Sequence, residues 1–219
     1  MTDFSLEIQI DPTGLQTISA ADMSVAILQP QDQANYQIVA LLTSATGTMN
    51  ITWTDAVSVY TSSYSLEAYS ILKINSFASA LSEQSFTFDG TLIDQTGTNS
   101  LPNTVQLTNT SASTVTSGLA KNFNINSQPQ DLAITTASSV LNGGMGSFQI
   151  SNQIMLTLLG GAQLGMAIPS QAIPNFESQS RSTLISQITA QPPLLLDFTA
   201  ENPSQTATFN DQTNTFIAG

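Results

Sequence analysis

Along most of this chain apolar and polar residues alternate, the period of a half-buried β-strand and not that of a helix. Phe4, Leu6, Ile8 and Ile10 share one face of a segment whose other face carries Ser5, Glu7 and Gln9. The same pattern predicts strands over Met23 to Leu28, Tyr36 to Leu42, Met49 to Trp53, Val57 to Thr61 and Phe86 to Ile93. It continues through Val105 to Thr108, Val115 to Ile125 and Leu132 to Thr136. Thr183 to Thr189, Leu194 to Thr199, Thr206 to Phe209 and Thr215 to Ile217 complete the set. Between them lie turn residues such as Asp11-Pro12-Thr13-Gly14 and Asn142-Gly143-Gly144, where proline presets φ and glycine relaxes it, and Asp89-Gly90 reads as the turn at a strand end. Only in Tyr64 to Ser82 does a helix compete: Leu66, Tyr69 and Leu72 fit helical spacing, and the segment reads as a strand followed by a short helix.

Strands recurring about every ten residues, with no fixed-period repeat and no long linker, predict one all-β domain over residues 1–219. The expected architecture is an antiparallel β-sandwich of two packed sheets in Greek-key or jelly-roll order.

The densest apolar block, Ser147 to Pro169, is broken in the middle by Gly160-Gly161 and reads as a buried β-hairpin. Ile154, Leu156 and Leu158 face one way while Met155, Thr157 and Leu159 face the other, so the first arm belongs between two layers. The alternative is an uncovered ribbon of Ile154, Leu156, Leu158, Leu159, Leu164, Met166 and Ile168 that contacts another copy or a membrane. The block is too short and too interrupted for a spanning helix.

Composition narrows the function. Only 8% of the 219 residues are charged, so surface polarity has to come from Ser, Thr, Asn and Gln, which suits close packing against other copies or glycans. Net charge is −12, and Lys73, Lys121 and Arg181 are the only cations. Three scattered cations cannot displace the counterions of a nucleic acid or hold an anionic membrane. Without cysteine there is neither a disulfide nor a thiolate metal site, and without histidine there is no Ser-His-Asp triad and no imidazole ligand. No cofactor loop is present. The start, MTDFSLEIQI, has no basic segment followed by a long apolar one, which leads to the expectation of a cytoplasmic or non-classically released protein. Asn50-Ile51-Thr52 and Asn109-Thr110-Ser111 match the glycosylation sequon, a triplet that such a composition produces by chance.

Two motifs each lack a part that their chemistry requires. Phe86 to Asp94 is similar to the phosphatase signature of the haloacid dehalogenase superfamily, but Thr87 stands where the nucleophilic aspartate is required. Ser70-Ile71-Leu72-Lys73 matches the S-x-x-K of serine penicillin-binding enzymes without the K-T-G strand those enzymes need. A glycosidase working through two carboxylates is the one enzyme class that composition leaves open, and no acidic pair is marked out by spacing. The aromatic run after Asn50 supplies Trp53, Tyr60 and Tyr64 beside Asp55, and Asn50 with these four is the candidate glycan site. The competing reading puts Trp53 in the core. These features lead to the expectation of a non-catalytic β-protein that associates with itself in a structural role. A lectin-like or pore-forming protein is the alternative.

Overall fold

A computed structural model describes residues 2–31, 35–173 and 192–219. In chain order it forms β1 (Asp3–Gln9), α1 (Pro12–Ala20), β2 (Met23–Leu28), β3 (Tyr36–Thr43), β4 (Thr48–Thr54) and β5 (Val57–Ser62). Then follow β6 (Ser76–Ala80), β7 (Gln84–Phe88), β8 (Ile93–Thr98), β9 (Thr104–Asn109), β10 (Val115–Ile125) and β11 (Gln128–Ile134). The chain continues with β12 (Ser138–Val140), β13 (Met145–Gln149), β14 (Gln153–Gly160), β15 (Ala167–Pro169), β16 (Leu194–Asp197), β17 (Ser204–Asn210) and β18 (Thr215–Ala218). The expected strand Thr183 to Thr189 lies outside the described residues.

The protein is mostly β, as the alternation predicts, but the described strands form three sheets and not the two of a simple sandwich. A nine-stranded sheet runs β18-β17-β1-β4-β10-β5-β6, with β11 and β12 also on β10, and curls into a half-barrel. A four-stranded sheet, β13-β9-β7-β8, and a five-stranded sheet, β15-β3-β2-β14-β16, pack against it.

The eleven-residue β10 organises the large sheet. On one edge β4 pairs with its Phe123–Ile125 end and β5 with Thr116–Ala120, so β4 and β5 act as one strand bent at Asp55-Ala56. Its other edge takes β11 and then β12 in the same way. Successive odd-numbered side chains of β10 serve different cores. Leu119 joins Val57, Val59, Phe86, Leu107 and Phe148 under the four-stranded sheet. Phe123 joins Leu6, Ile8, Ile51, Trp53 and Leu156 under the five-stranded sheet.

Several expectations are corrected. Asp11 to Gly14 does not simply turn the chain but starts α1: the Asp11 carboxylate accepts from Gly14 N at 2.6 Å, and Pro12 occupies the first turn, where its missing N–H goes unused. No helix forms within 64–82, and the only regular element there is β6. Phe86 to Ile93 is not one strand but the end of β7 and the start of β8: Asp89-Gly90 forms the expected turn at a strand end, where the Asp89 carboxylate accepts from Thr91 N at 2.7 Å and Leu92 N at 2.9 Å. These two backbone donors also hold the Asp89 carboxyl below the usual carboxylate range. The expected strand Leu132 to Thr136 begins earlier, as β11, after a tight turn in which Asn126 and Ser127 both have positive φ, 50° and 66°.

The Gly160-Gly161 hairpin does not form. Its two arms, β14 and β15, lie in one sheet with β2 and β3 between them. Both faces of β14 are nevertheless covered, as its pattern requires. Ile154, Leu156 and Leu158 enter the core shared with the large sheet, and Met155 and Leu159 pack with Leu28, Val39 and Ile168 on the opposite face.

Candidate functional site

The five residues of the expected glycan site do not converge. On β4 the alternation sends Asn50 to solvent and Trp53 inward, where it is 3% exposed. Phe4, Phe123 and Phe198 surround the Trp53 ring at 5.7, 5.8 and 4.7 Å between centroids. Tyr60 is fully buried in another core with Ile38 and Ile134, and its hydroxyl donates to Thr136 O at 2.9 Å. Burial holds that hydroxyl protonated well above the usual phenol range. Asp55 is half-buried at the bend between β4 and β5 and accepts from Thr2 N at 3.2 Å. Tyr64 is exposed, with the Lys73 ammonium 6.0 Å from its ring centroid. The two most useful rings for stacking on a sugar are thus both inside the protein.

The apolar ribbon is interior as well. Ile154, Leu156, Leu158, Leu159, Met166 and Ile168 are buried, and only Leu164, 47% exposed, remains for an external contact. β14 pairs with β2 on one edge and with β16 on the other, so this arm of the ribbon has no free edge. No helix of the described residues is long and apolar enough to cross a membrane.

Sequence reasoning passed over Lys121. Its neighbours two positions away, Leu119 and Phe123, point into two different cores, and Lys121 shares their face of β10 between them. It is 3% exposed, and its ammonium donates to Ser151 O at 2.6 Å and Asn152 Oδ1 at 2.8 Å. Gln29 Nε2 donates to the same Ser151 carbonyl at 2.9 Å. Lys121 therefore ties the link between β13 and β14, and with it both smaller sheets, to the large one. The residue could have been flagged as a lone cation among Leu119, Ala120 and Phe123 in an alternating strand.

Burial pushes the Lys121 ammonium down to about 8, and the Asp55 carboxylate offsets part of that effect. Between this value and the ordinary lysine range the folded chain binds fewer protons than the unfolded one, so stability rises with pH. From pH 7 to pH 10 the gain is expected to be about 2–3 kcal/mol. Above pH 10 the sign reverses, because unfolded Tyr60 ionises where the buried one does not. Urea unfolding followed from pH 7 to 11 should show a maximum near pH 10, and Lys121→Met should remove the rising limb alone.

One sheet edge also stands out. Strand β6, Ser-Phe-Ala-Ser-Ala, ends the large sheet and, among the described residues, pairs only with β5, in unbroken register. Natural edges are blunted by Lys, Pro or a bulge, and β6 has none of these. By contrast β8, the neighbouring edge of the four-stranded sheet, has a register shift opposite Ser85 and Phe86 and carries Asp94. Phe77 on β6 is 55% exposed, Leu81 just beyond it 66%, and Leu92 in the adjoining turn 60%. The Ser76 hydroxyl donates to Thr91 O at 2.9 Å and fixes this turn beside β6.

Among the described residues no three carboxylates gather in the geometry of a metal site. No family model, curated protein or solved structure matches the chain.

Proposed function

We propose that this chain is a non-catalytic β-protein that associates with further copies of itself, with β6 as the joining edge. The observation that carries the reading is the uncharged β6 edge, which has no Lys, Pro or bulge and carries exposed Phe77, with exposed Leu81 just beyond it. A second copy is the occupant that charge favours. Two chains of net charge −12 repel each other over most of their surfaces, and Ser76 to Ala80 holds no carboxylate. The segment is also self-complementary: antiparallel pairing about Ala78 sets Phe77 against Ser79 and Ser76 against Ala80, with no like charges opposed. Main-chain hydrogen bonds would join the sheets, and Phe77 would supply apolar burial.

Size exclusion with light scattering tests this. The wild-type chain should elute at twice 23.1 kDa or more. Phe77→Lys and Ser79→Lys place the usual edge-protecting residue at exposed positions, and each should weaken association at least tenfold without changing the melting temperature. A wild-type monomer at high concentration, or oligomers unaffected by both substitutions, would remove the proposal.

A further inference from the structure

A cleft of about 810 Å³ opens where the five-stranded sheet, β12 and β13 meet. This size is within the range of small-ligand sites. None of the fifteen described residues that line it carries a formal charge, and most are amides and hydroxyls, including Gln31, Ser139, Ser147 and Gln149. Each amide and each hydroxyl both donates and accepts, which matches a ligand whose hydroxyls do the same. A phosphate, carboxylate or ammonium ligand would find no opposite charge among these residues, and the Lys121 ammonium behind Ser151 is already engaged by Ser151 O and Asn152 Oδ1. Tyr36, half-buried on the cleft wall, supplies a ring against which the C–H face of a sugar can lie.

The cleft is built rather than incidental. Gln37, with no exposed surface, accepts from Gln31 N at 3.1 Å and donates to Gln31 O at 3.2 Å and to Ser170 Oγ at 3.2 Å. The Gln31 main chain is thereby held from both sides. The Gln31 side-chain Nε2 is buried and has no hydrogen-bond partner among the described residues. A buried donor without an acceptor is unfavourable, and a ligand oxygen would relieve it. On another wall Ser151 is held through its carbonyl by Gln29 and Lys121. A polar site whose walls are fixed before binding spends little on ordering.

We propose that this cleft binds an uncharged saccharide, with Gln31 Nε2 donating to a sugar oxygen and Gln149 and Ser139 bonding further hydroxyls. The test is an array of neutral oligosaccharides of glucose, galactose, mannose and N-acetylglucosamine, printed beside sialylated and sulfated counterparts. Wild type should bind at least one neutral glycan, and its charged counterpart at least tenfold more weakly. The same oligosaccharide, free in solution, should bind in a calorimeter, which separates recognition of the sugar from recognition of its carrier. Gln31→Leu should weaken that affinity at least tenfold. Ser139→Trp, at an exposed position on β12 and so compatible with folding, should abolish it by filling the cleft. Both variants should melt within a degree or two of wild type. The proposal is overturned if no neutral glycan binds, if charged glycans bind better, if the free sugar does not bind, or if binding survives both substitutions.

Discussion

Gly118→Ala is expected to destabilise the protein by about 4 kcal/mol or more, a large share of the stability of an ordinary domain. A Cβ at this position would stand 1.9 Å from Thr136 O and 2.6 Å from Thr136 C. Both are backbone atoms, so no side-chain rotation relieves the clash. Thr136 cannot easily retreat: its carbonyl accepts from the Tyr60 hydroxyl, its hydroxyl accepts from Leu119 N at 2.8 Å, and its own N–H donates to Leu119 O at 3.2 Å. The crossing lies where β11 gives way to β12 along β10, opposite the segment that pairs with β5. A shift there would disturb strands on both edges of β10 at once. Gly97→Ala is the control, since Gly97 is also a strand glycine but a Cβ there meets nothing within 4 Å. Its effect should be neutral, or stabilising by roughly 0.5–1 kcal/mol, because alanine loses less backbone entropy than glycine. Urea midpoints of the two variants measure the contrast, and equal midpoints would show that the β10 crossing is looser than described.

Strands were legible where one face of each is buried, because burial of alternate residues is what writes the period into the sequence. The boundaries Met23 to Leu28 and Val115 to Ile125 coincide with β2 and β10 for this reason. What local pattern cannot carry is the choice of partner. The Gly160-Gly161 pair permits a tight hairpin, but the apolar edge of β14 is taken by β2, more than a hundred residues earlier in the chain, and β15 pairs with β3 instead. Helix α1 was hidden because Asp-Pro-Thr-Gly serves equally as a turn and as a helix start, and Ile18 is the only large side chain the helix buries. The expected glycan site failed for a similar reason. Proximity in sequence brought Trp53, Asp55 and Tyr60 together, while the bend between β4 and β5 sends the two rings into separate cores. The polar cleft, built from β3, β12, β13 and the segments beside them, leaves no sequence signal in a chain this rich in Gln and Ser.

Trp53→Ala is expected to cost about 3–5 kcal/mol, the range for truncating a fully buried large aromatic side chain. The ring stands at 75° to Phe198 and 28° to Phe4, so edge-to-face and stacked contacts are lost together with the buried area. Those contacts join β1, β4, β10 and the residue following β16, which makes the site a joint between the large and the five-stranded sheets. Trp53→Phe keeps an aromatic ring and should retain most of that stability. Trp53 is the only tryptophan, so its fluorescence reports on this joint alone. Wild-type emission should be blue-shifted and move to the red in a single transition with urea, in step with loss of the β signal in circular dichroism. The pair of variants also separates the two locations for a sugar site. If saccharides enter the polar cleft, Trp53→Phe binds them as wild type does, since the ring is covered and takes no part. If Trp53→Phe instead folds normally and loses the sugar, the aromatic run of β4 and β5 is the binding surface after all, and the Trp53 ring must leave its core to reach the ligand.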